Sequence, residues 1–586
     1  MNALSALRER VEAAYARVAE VDRPEVWIDL RPRADVLAEA DEVIRRLEAG
    51  EDLPLAGLLA AVKGNIDVAG LPTTAGCPAF AYSPECDATP VARLRAAGAL
   101  VVGTTNLDQF ATGLVGTRSP YGAVRHATAP ERISGGSSSG SAVAVALGIV
   151  DVALGTDTAG SGRVPAAFHG IVGIKATRGV VPATGVVPAC RSLDCVTVLA
   201  RDLATARRAL LSLAGPDGVD PLARDLPPGW DTVLRGRDGG PPVVGVPAPE
   251  ALGPLAPGWA EAFETAIDRL TGAGAQVRRV DIAPLLAAAR LLYEGAFVAE
   301  RYAAVGEFVA NHPDDVDPVV GAIIGKAAAP SAHELFADMA RLDELGLAAR
   351  TALAGTDVLL LPTTTRHPTL AEVAADPVGV NSDLGRFTNF ANLLDMAALA
   401  VPAGEADGLP FGVQLVGPAF SDGLLAGVAE LLAESSEPMG LGSVPRASGP
   451  QESVPLAVVG AHLGGQPLNH QLVERGGRLV ATTTTAPAYR LFALDTTPAK
   501  PGLVRVADGG APIRAEVWEL PTTGFGDFVA SVPAPLAIGK VLLADGSEVS
   551  GFLCEPAALD GALDITASGG WLAHLAADAE APASAP

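Results

Sequence analysis

From Leu58 to about Val198, short apolar runs alternate with helical stretches: "LLAAVKGNIDVAG", "ATPVARLRAAGALVVGTTN", "SAVAVALGIVDVALGTD" and "GIVGIKATRG". That alternation predicts a sheet layered with helices, an α/β fold. Helical periodicity also fills roughly 1–50, and further helices are predicted over 257–273, 283–311 and 332–354. "TDVLLLPTT" and "GVQLVGP" supply later strands. From Glu434 to Val454 the periodicity vanishes into Ser, Gly and Pro, which predicts a linker at 436–454 after a first domain at 1–435. Beyond it the pattern changes to short strand-like runs broken by turns: "PLAVVGAH", "RLVATTTT", "YRLFALD", "AEVWELP" and "GKVLLADGSEVSGFLCEP". A small β-rich domain at 455–575 follows from that pattern. The closing "ADAEAPASAP" predicts a disordered tail over 576–586.

A chain of 586 residues is too long for one core, which agrees with two domains. Apolar residues make up 49% and charged residues 19%, as in a soluble globular protein. No apolar run reaches the roughly 18 residues needed to span a bilayer. The N-terminal "MNALSALRERVEAAYARVAEV" is a charged amphipathic helix without the features of a signal peptide, so a cytoplasmic protein with no membrane partner is expected. The net charge of −25 argues against nucleic acid as a partner. Five cysteines form no CxxC pair, and eight histidines show no ligand spacing, so neither a disulfide framework nor a metal site is expected. Only five of the 42 basic residues are lysines: Lys63, Lys175, Lys326, Lys500 and Lys540. Each lysine therefore asks for its own explanation.

The chemistry concentrates in three places. "GTDTAGSGR" (155–163) is a strand opening into a glycine-lined turn that holds one hydroxyl, Ser161. "ERISGGSSSGSAVAVALG" sets a Gly-Ser cluster before a helix, where the serines are expected to cap its N-terminus. "LLAAVKGNIDVAG" puts Lys63 where an apolar strand meets a Gly-Asn turn. A helix leaving Ser139 travels outward about 15 Å at about 1.5 Å per residue. A strand returns by a comparable distance at about 3.3 Å per residue. The Ser161 turn should then lie beside Ser137–Ser139, with Lys63 as the third corner. Alone, "GGSSSGS" also fits a flexible linker and "GTDTAGSGR" an ordinary tight turn. "GSSSG" matches a nucleophile elbow too, but "TAPERIS" is not the buried strand that an elbow requires.

Together these stretches resemble the amidase signature family. The resemblance implies a mixed β-sheet core covered by helices, plus a smaller β-rich α+β barrel domain at the C-terminus. It implies a Ser–cis-Ser–Lys triad: Ser161 as nucleophile, Ser137 as relay and Lys63 as base. The chemistry suits the residue types, because a serine needs a base and a buried lysine can be neutral. Arginine stays protonated in proteins. The oxyanion hole would come from the backbone amides of Thr158, Ala159, Gly160 and Ser161. Asp157, Thr158 and Arg163 are expected to hold this loop. No cofactor is implied.

"PEVWIDLRP", "GTDTAGSGRVPAAFHG", "ACRSLDCVTV" and "VVGAHLGGQPLNHQL" narrow the resemblance to the allophanate hydrolases. That branch implies allophanate as substrate, with Tyr293 and Arg301, eight apart on one expected helix, binding its carboxylate. It implies a C-terminal domain resembling γ-glutamyl cyclotransferases and linked to decarboxylation of N-carboxycarbamate. His462 is the candidate there, assisted by Glu516 or Glu519, and the loop Gly460–Pro467 could offer amides to an anion. A biotin-dependent urea carboxylase on a separate polypeptide would supply the substrate, and a homodimer is expected. The alternatives are a general amidase of the same family and one component of a tRNA-dependent amidotransferase.

Overall fold

The computed structural model describes residues 3–233, 236, 240–434, 453–473, 475–494, 496 and 499–580. The chain divides into two compact units, Met1–Leu441 and Gly442–Pro586. The linker expected at 436–454 lies almost wholly outside the described residues.

The first unit is built on one sheet of eleven strands. In chain order they are β1 (Trp27–Leu30), β2 (Leu59–Lys63), β3 (Leu100–Thr105), β4 (Val152–Asp157), β5 (Val172–Lys175) and β6 (Cys195–Ala200). The rest are β7 (Val243–Pro247), β8 (Gln276–Val280), β9 (Val358–Pro362), β10 (Met396–Ala406) and β11 (Leu409–Pro418). Their order across the sheet is β1-β3-β2-β4-β6-β5-β10-β11-β9-β7-β8. Pairing is mixed: β2 runs parallel to β3 and β4, whereas β4 with β6 and β10 with β11 are antiparallel.

Side chains alternate across a strand, so each central strand feeds two cores. Ala60 and Val62 of β2, with Val152 and Leu154 of β4, enter one hydrophobic cluster. Leu59 and Ala61, with Ala153, enter the other, which the helices Ala3–Val21, Arg33–Glu48 and Ser139–Ala146 help to build. Strands buried on both faces read as unbroken apolar runs, the pattern visible in the sequence.

Two predicted features differ. The stretch 283–311 is two helices, Ala283–Glu294 and Ala299–Asn311, joined by Gly295 and a short 3-10 turn. Gly295 leaves the helical region at φ −101°, ψ −173°, and Asp338 Oδ2 takes the next amide, of Ala296, at 2.6 Å. A Cβ at Gly295 would lie 2.6 Å from that carboxylate oxygen. The serines before Ser139–Ala146 make no side-chain cap. Instead Ser138 Oγ donates to Thr156 O at 3.1 Å and Ser141 Oγ to Leu154 O at 2.9 Å, fastening the helix to β4.

In the second unit β13 (Arg478–Thr484), β16 (Arg514–Pro521), β12 (Ser453–Val458), β18 (Glu548–Cys554) and β17 (Leu536–Leu542) form a five-stranded sheet. β15 (Lys500–Arg505), β14 (Tyr489–Leu494) and β19 (Leu563–Asp564) form a three-stranded one. The edges of the larger sheet meet at one antiparallel bridge, Thr485 with Leu543, without a closing ladder among the described residues. The helix Trp571–Glu580 occupies the first residues of the expected tail, and 581–586 lie outside the described residues.

Candidate active site

Lys63 ends β2, and its whole strand is buried. Its Nζ donates to Ser137 Oγ and to Thr156 Oγ1, each at 2.7 Å. Burial pushes the ammonium down to about 7, against the pull of Asp108, Asp194 and Asp157. The neutral amine is therefore within reach near neutral pH. Ser137 follows a cis peptide bond to Gly136. Gly136 must be glycine, since a Cβ there would lie 2.1 Å from Asp108 Oδ2.

The Ser137 and Ser161 turns converge. Ser138 N donates to Ser161 O at 3.2 Å, and Ser161 Oγ lies 3.4 Å from Gly113 O. The Ser161 turn is held by the buried Asp157, whose carboxylate accepts from Gly160 N at 2.7 Å and Gly162 N at 3.2 Å. Arg163 pairs with it through Nε and a terminal nitrogen, both at 3.0 Å. Burial alone would raise Asp157, but the Arg163 guanidinium holds it below the usual carboxylate range. Gly160 takes φ +124°, and a Cβ there would lie 2.3 Å from Thr388 Oγ1. Its amide is committed to Asp157. The amides of Thr158, Ala159 and Ser161 have no carboxylate partner among the described residues.

Tyr293 and Arg301 meet although their helices are separate. A terminal nitrogen of Arg301 donates to Tyr293 Oη at 2.9 Å and another to Thr112 Oγ1 at 2.9 Å. Arg301 is only 2% exposed. Both hydrogen-bond partners are hydroxyls, and no carboxylate among the described residues forms an ion pair with it. Buried cations are ordinarily paired with a carboxylate, and this one is held by hydroxyls. Thr112 touches Arg301 and the next residue, Gly113, faces Ser161, so one dipeptide spans both groups.

Sequence reasoning missed Thr156, Thr112, Asp108 and Asp194. Thr156 lies within "GTDTAGSGR" itself, but nothing in the sequence marks it as the second partner of Lys63. Asp108 accepts the amides of Val115, Gly116 and Arg118 at 3.0–3.2 Å, and Asp194 those of Ala189 and Cys190. Burial raises both carboxyls.

In the second unit His462 is 8% exposed, with Nε2 3.1 Å from Gln471 Oε1 and its ring stacked on Phe552 at 5.0 Å. Burial lowers its pKa. Glu516 is buried and accepts from Gly464 N at 2.8 Å and Trp518 Nε1 at 3.0 Å. Glu519 lies nearer the surface, paired with Arg478 at 2.8 Å. The amides of Leu463, Gly464 and Gln466 are already bonded inside this unit, which leaves less of the Gly460–Pro467 loop for an anion than the sequence suggests. Among the described residues no group of three or more His, Cys, Asp or Glu side chains could hold a metal ion.

The family profile described as Amidase matches residues 9–426, and that of the allophanate hydrolase C-terminal domain matches 454–576. A urea amidolyase from Saccharomyces cerevisiae is 44% identical over 594 residues, covering 95% of this chain and 31% of its own length. The chain thus spans about a third of that relative. The solved structure of an allophanate hydrolase from Kluyveromyces lactis is 41% identical with a TM-score of 0.70, covering 98% of this chain and 97% of its own. A glutamyl-tRNA(Gln) amidotransferase polypeptide from Thermus thermophilus is 36% identical, covering 70% of this chain and 90% of its own length. No helix of the described residues is long and apolar enough to cross a membrane.

Proposed function

The chain belongs to the amidase family and is an amide hydrolase, and from that premise we propose that its substrate is allophanate. Lys63, neutral in part near pH 7, takes the Ser137 proton while Ser137 takes that of Ser161, whose Oγ attacks the amide carbonyl. The amides of Thr158, Ala159 and Ser161 stabilise the oxyanion, and Gly160 serves the turn through Asp157. The tetrahedral intermediate collapses as the proton returns through Ser137 to the amide nitrogen, which expels ammonia and leaves the acyl-enzyme, and water then attacks along the same proton path. A urea carboxylase activity supplies the substrate, and the setting is cytoplasmic. His462 and Glu516 of the second unit assist decarboxylation of the N-carboxycarbamate product; Glu516 is preferred to Glu519 because it is buried against the loop that carries His462.

The observation that carries the substrate is Arg301, a buried guanidinium whose hydrogen-bond partners are the hydroxyls of Tyr293 and Thr112, the latter one residue along the chain from Gly113, which faces Ser161. Allophanate carries a carboxylate beside its scissile amide and fits that arrangement. The test is ammonia release from allophanate, biuret, malonamate and a simple aliphatic amide. Rapid release is expected from allophanate. Comparable rates on the uncharged amides would refute the assignment and leave a general amidase.

A further inference from the structure

The segment Ala189–Asp194, which leads into β6, touches both halves of the site. At one end the Asp194 carboxylate accepts the hydroxyl of Thr158. Next to it Asn392 Nδ2 joins Leu193 O, at 3.0 Å, to Asp157 O, at 2.7 Å. Farther along, Ser192 N and Ser192 Oγ donate to the two oxygens of Glu300, each at 2.7 Å. Glu300 immediately precedes Arg301 in the first turn of Ala299–Asn311. Cys190 and Leu193 pack with Ala159 and Leu292, and Tyr293 lies against that cluster.

Building on the allophanate reading, we propose that this segment is a strap that sets the register between Arg301 and the oxyanion turn. Glu300 is the positioning residue at the specificity end and Asp194 at the catalytic end. The charge of Glu300 has the wrong sign to attract an anionic substrate. Both of its oxygens are committed to Ser192 in a two-point clamp, which fixes direction as well as distance. Its contribution is geometric, and that fixes the sign of the expected effects. Loss of charge alone would tighten binding of an anion, whereas loss of the clamp displaces the guanidinium and weakens it.

The test uses the full chain, with kcat and KM measured for allophanate and for uncharged malonamide and thermal unfolding followed in parallel. For Glu300→Ala, kcat/KM on allophanate is expected to fall about tenfold, chiefly through KM, while malonamide stays within about twofold. Glu300→Gln keeps an acceptor for the Ser192 amide and is expected to restore allophanate to within about threefold of the unmodified enzyme. Ser192→Ala removes one arm and gives a smaller selective loss, with no further effect on top of Glu300→Ala; it carries the test if Glu300→Ala unfolds. Asp194→Asn lowers both substrates together, because any amide uses the oxyanion turn. A Glu300→Ala enzyme with unchanged or lower KM for allophanate, or with equal losses on both substrates, overturns the proposal. Arg301→Ala measured alongside separates the two levels. If it too fails to distinguish the substrates, the allophanate reading falls; if it distinguishes them and Glu300→Ala does not, only the strap falls.

Discussion

Behind the Ser161 turn three histidines share one buried pocket, and their protonation should set the acid limit of the amidase unit. His126 and His169 stack at 4.4 Å, His367 meets His126 edge-on at 5.0 Å, and His367 stacks on Phe168 at 3.8 Å. Phe168 closes the helix Arg163–Phe168 that leads out of the Ser161 turn. His126 Nε2 faces the Phe168 carbonyl at 2.9 Å while Nδ1 accepts the Ala129 amide at 3.1 Å, so the ring is built to be neutral. His169 sits likewise between Pro165 O at 2.8 Å and the Ala127 amide at 3.3 Å. His367 Nε2 faces Ile133 O at 2.8 Å and its Nδ1 is buried without a hydrogen-bond partner among the described residues. Burial lowers all three, His367 to about 3. A histidine whose folded pKa lies below its unfolded value takes its proton more readily in the unfolded chain. Its stability contribution is therefore present above the unfolded pKa of about 6.5 and is lost as the pH falls toward the folded one. For His367 the loss between pH 7 and pH 5 is on the order of 2 kcal/mol, against a total stability of roughly 5–15 kcal/mol. His126 and His169 act in the same direction. His367→Gln can keep a donor for Ile133 O but cannot titrate. It should be the less stable protein at pH 7, having lost the Phe168 stack, and should lose on the order of 2 kcal/mol less on going to pH 5. The assay is denaturant unfolding at pH 7, 6 and 5, following the amidase unit by circular dichroism. Parallel pH dependences for the two proteins would refute the reasoning.

Ser161→Ala should abolish ammonia release while leaving the unfolding transition in place; an active, folded variant would remove Ser161 from the nucleophile role. Lys63→Arg preserves the charge but cannot act as a base, so kcat should fall by about 10²–10⁴, close to the loss in Lys63→Ala; near-normal turnover would mean that only the charge matters. The activity on allophanate should rise through about pH 7 and level off above it, as Lys63 loses its proton, and a flat profile from pH 6 to 8 would contradict that assignment. Arg301→Ala should cost roughly ten- to a hundredfold in kcat/KM on allophanate and little on malonamide, from about 1.5–3 kcal/mol of charge-assisted hydrogen bonding. In His462→Ala and Glu516→Gln, carbon dioxide should lag behind ammonia; coincident time courses would leave the second unit without a catalytic part.

The layered α/β fold and the three chemical corners were legible along the chain because they depend on local rules. Apolar runs alternating with helices specify a doubly covered sheet, and glycine-lined turns at strand ends place hydroxyls at its rim. The poverty of lysine made Lys63 conspicuous, and the resemblance to the amidase signature family pointed to Tyr293 and Arg301. What escaped the sequence depends on partners far apart in it. Whether Gly295 continues a helix is decided by the Asp338 carboxylate 43 residues on, which takes the next amide. Whether Ser138 caps its own helix or reaches across to β4 depends on the nearness of Thr156 O, which only the folded sheet creates. The partnership of Lys63 with Thr156 and the link from Thr112 to Arg301 are likewise three-dimensional facts. Periodicity and propensity report how a residue prefers to meet its neighbours in the chain. Burial, which here lowers the Lys63 pKa, and the hydroxyl partners of Arg301 exist only once distant strands and helices have packed together.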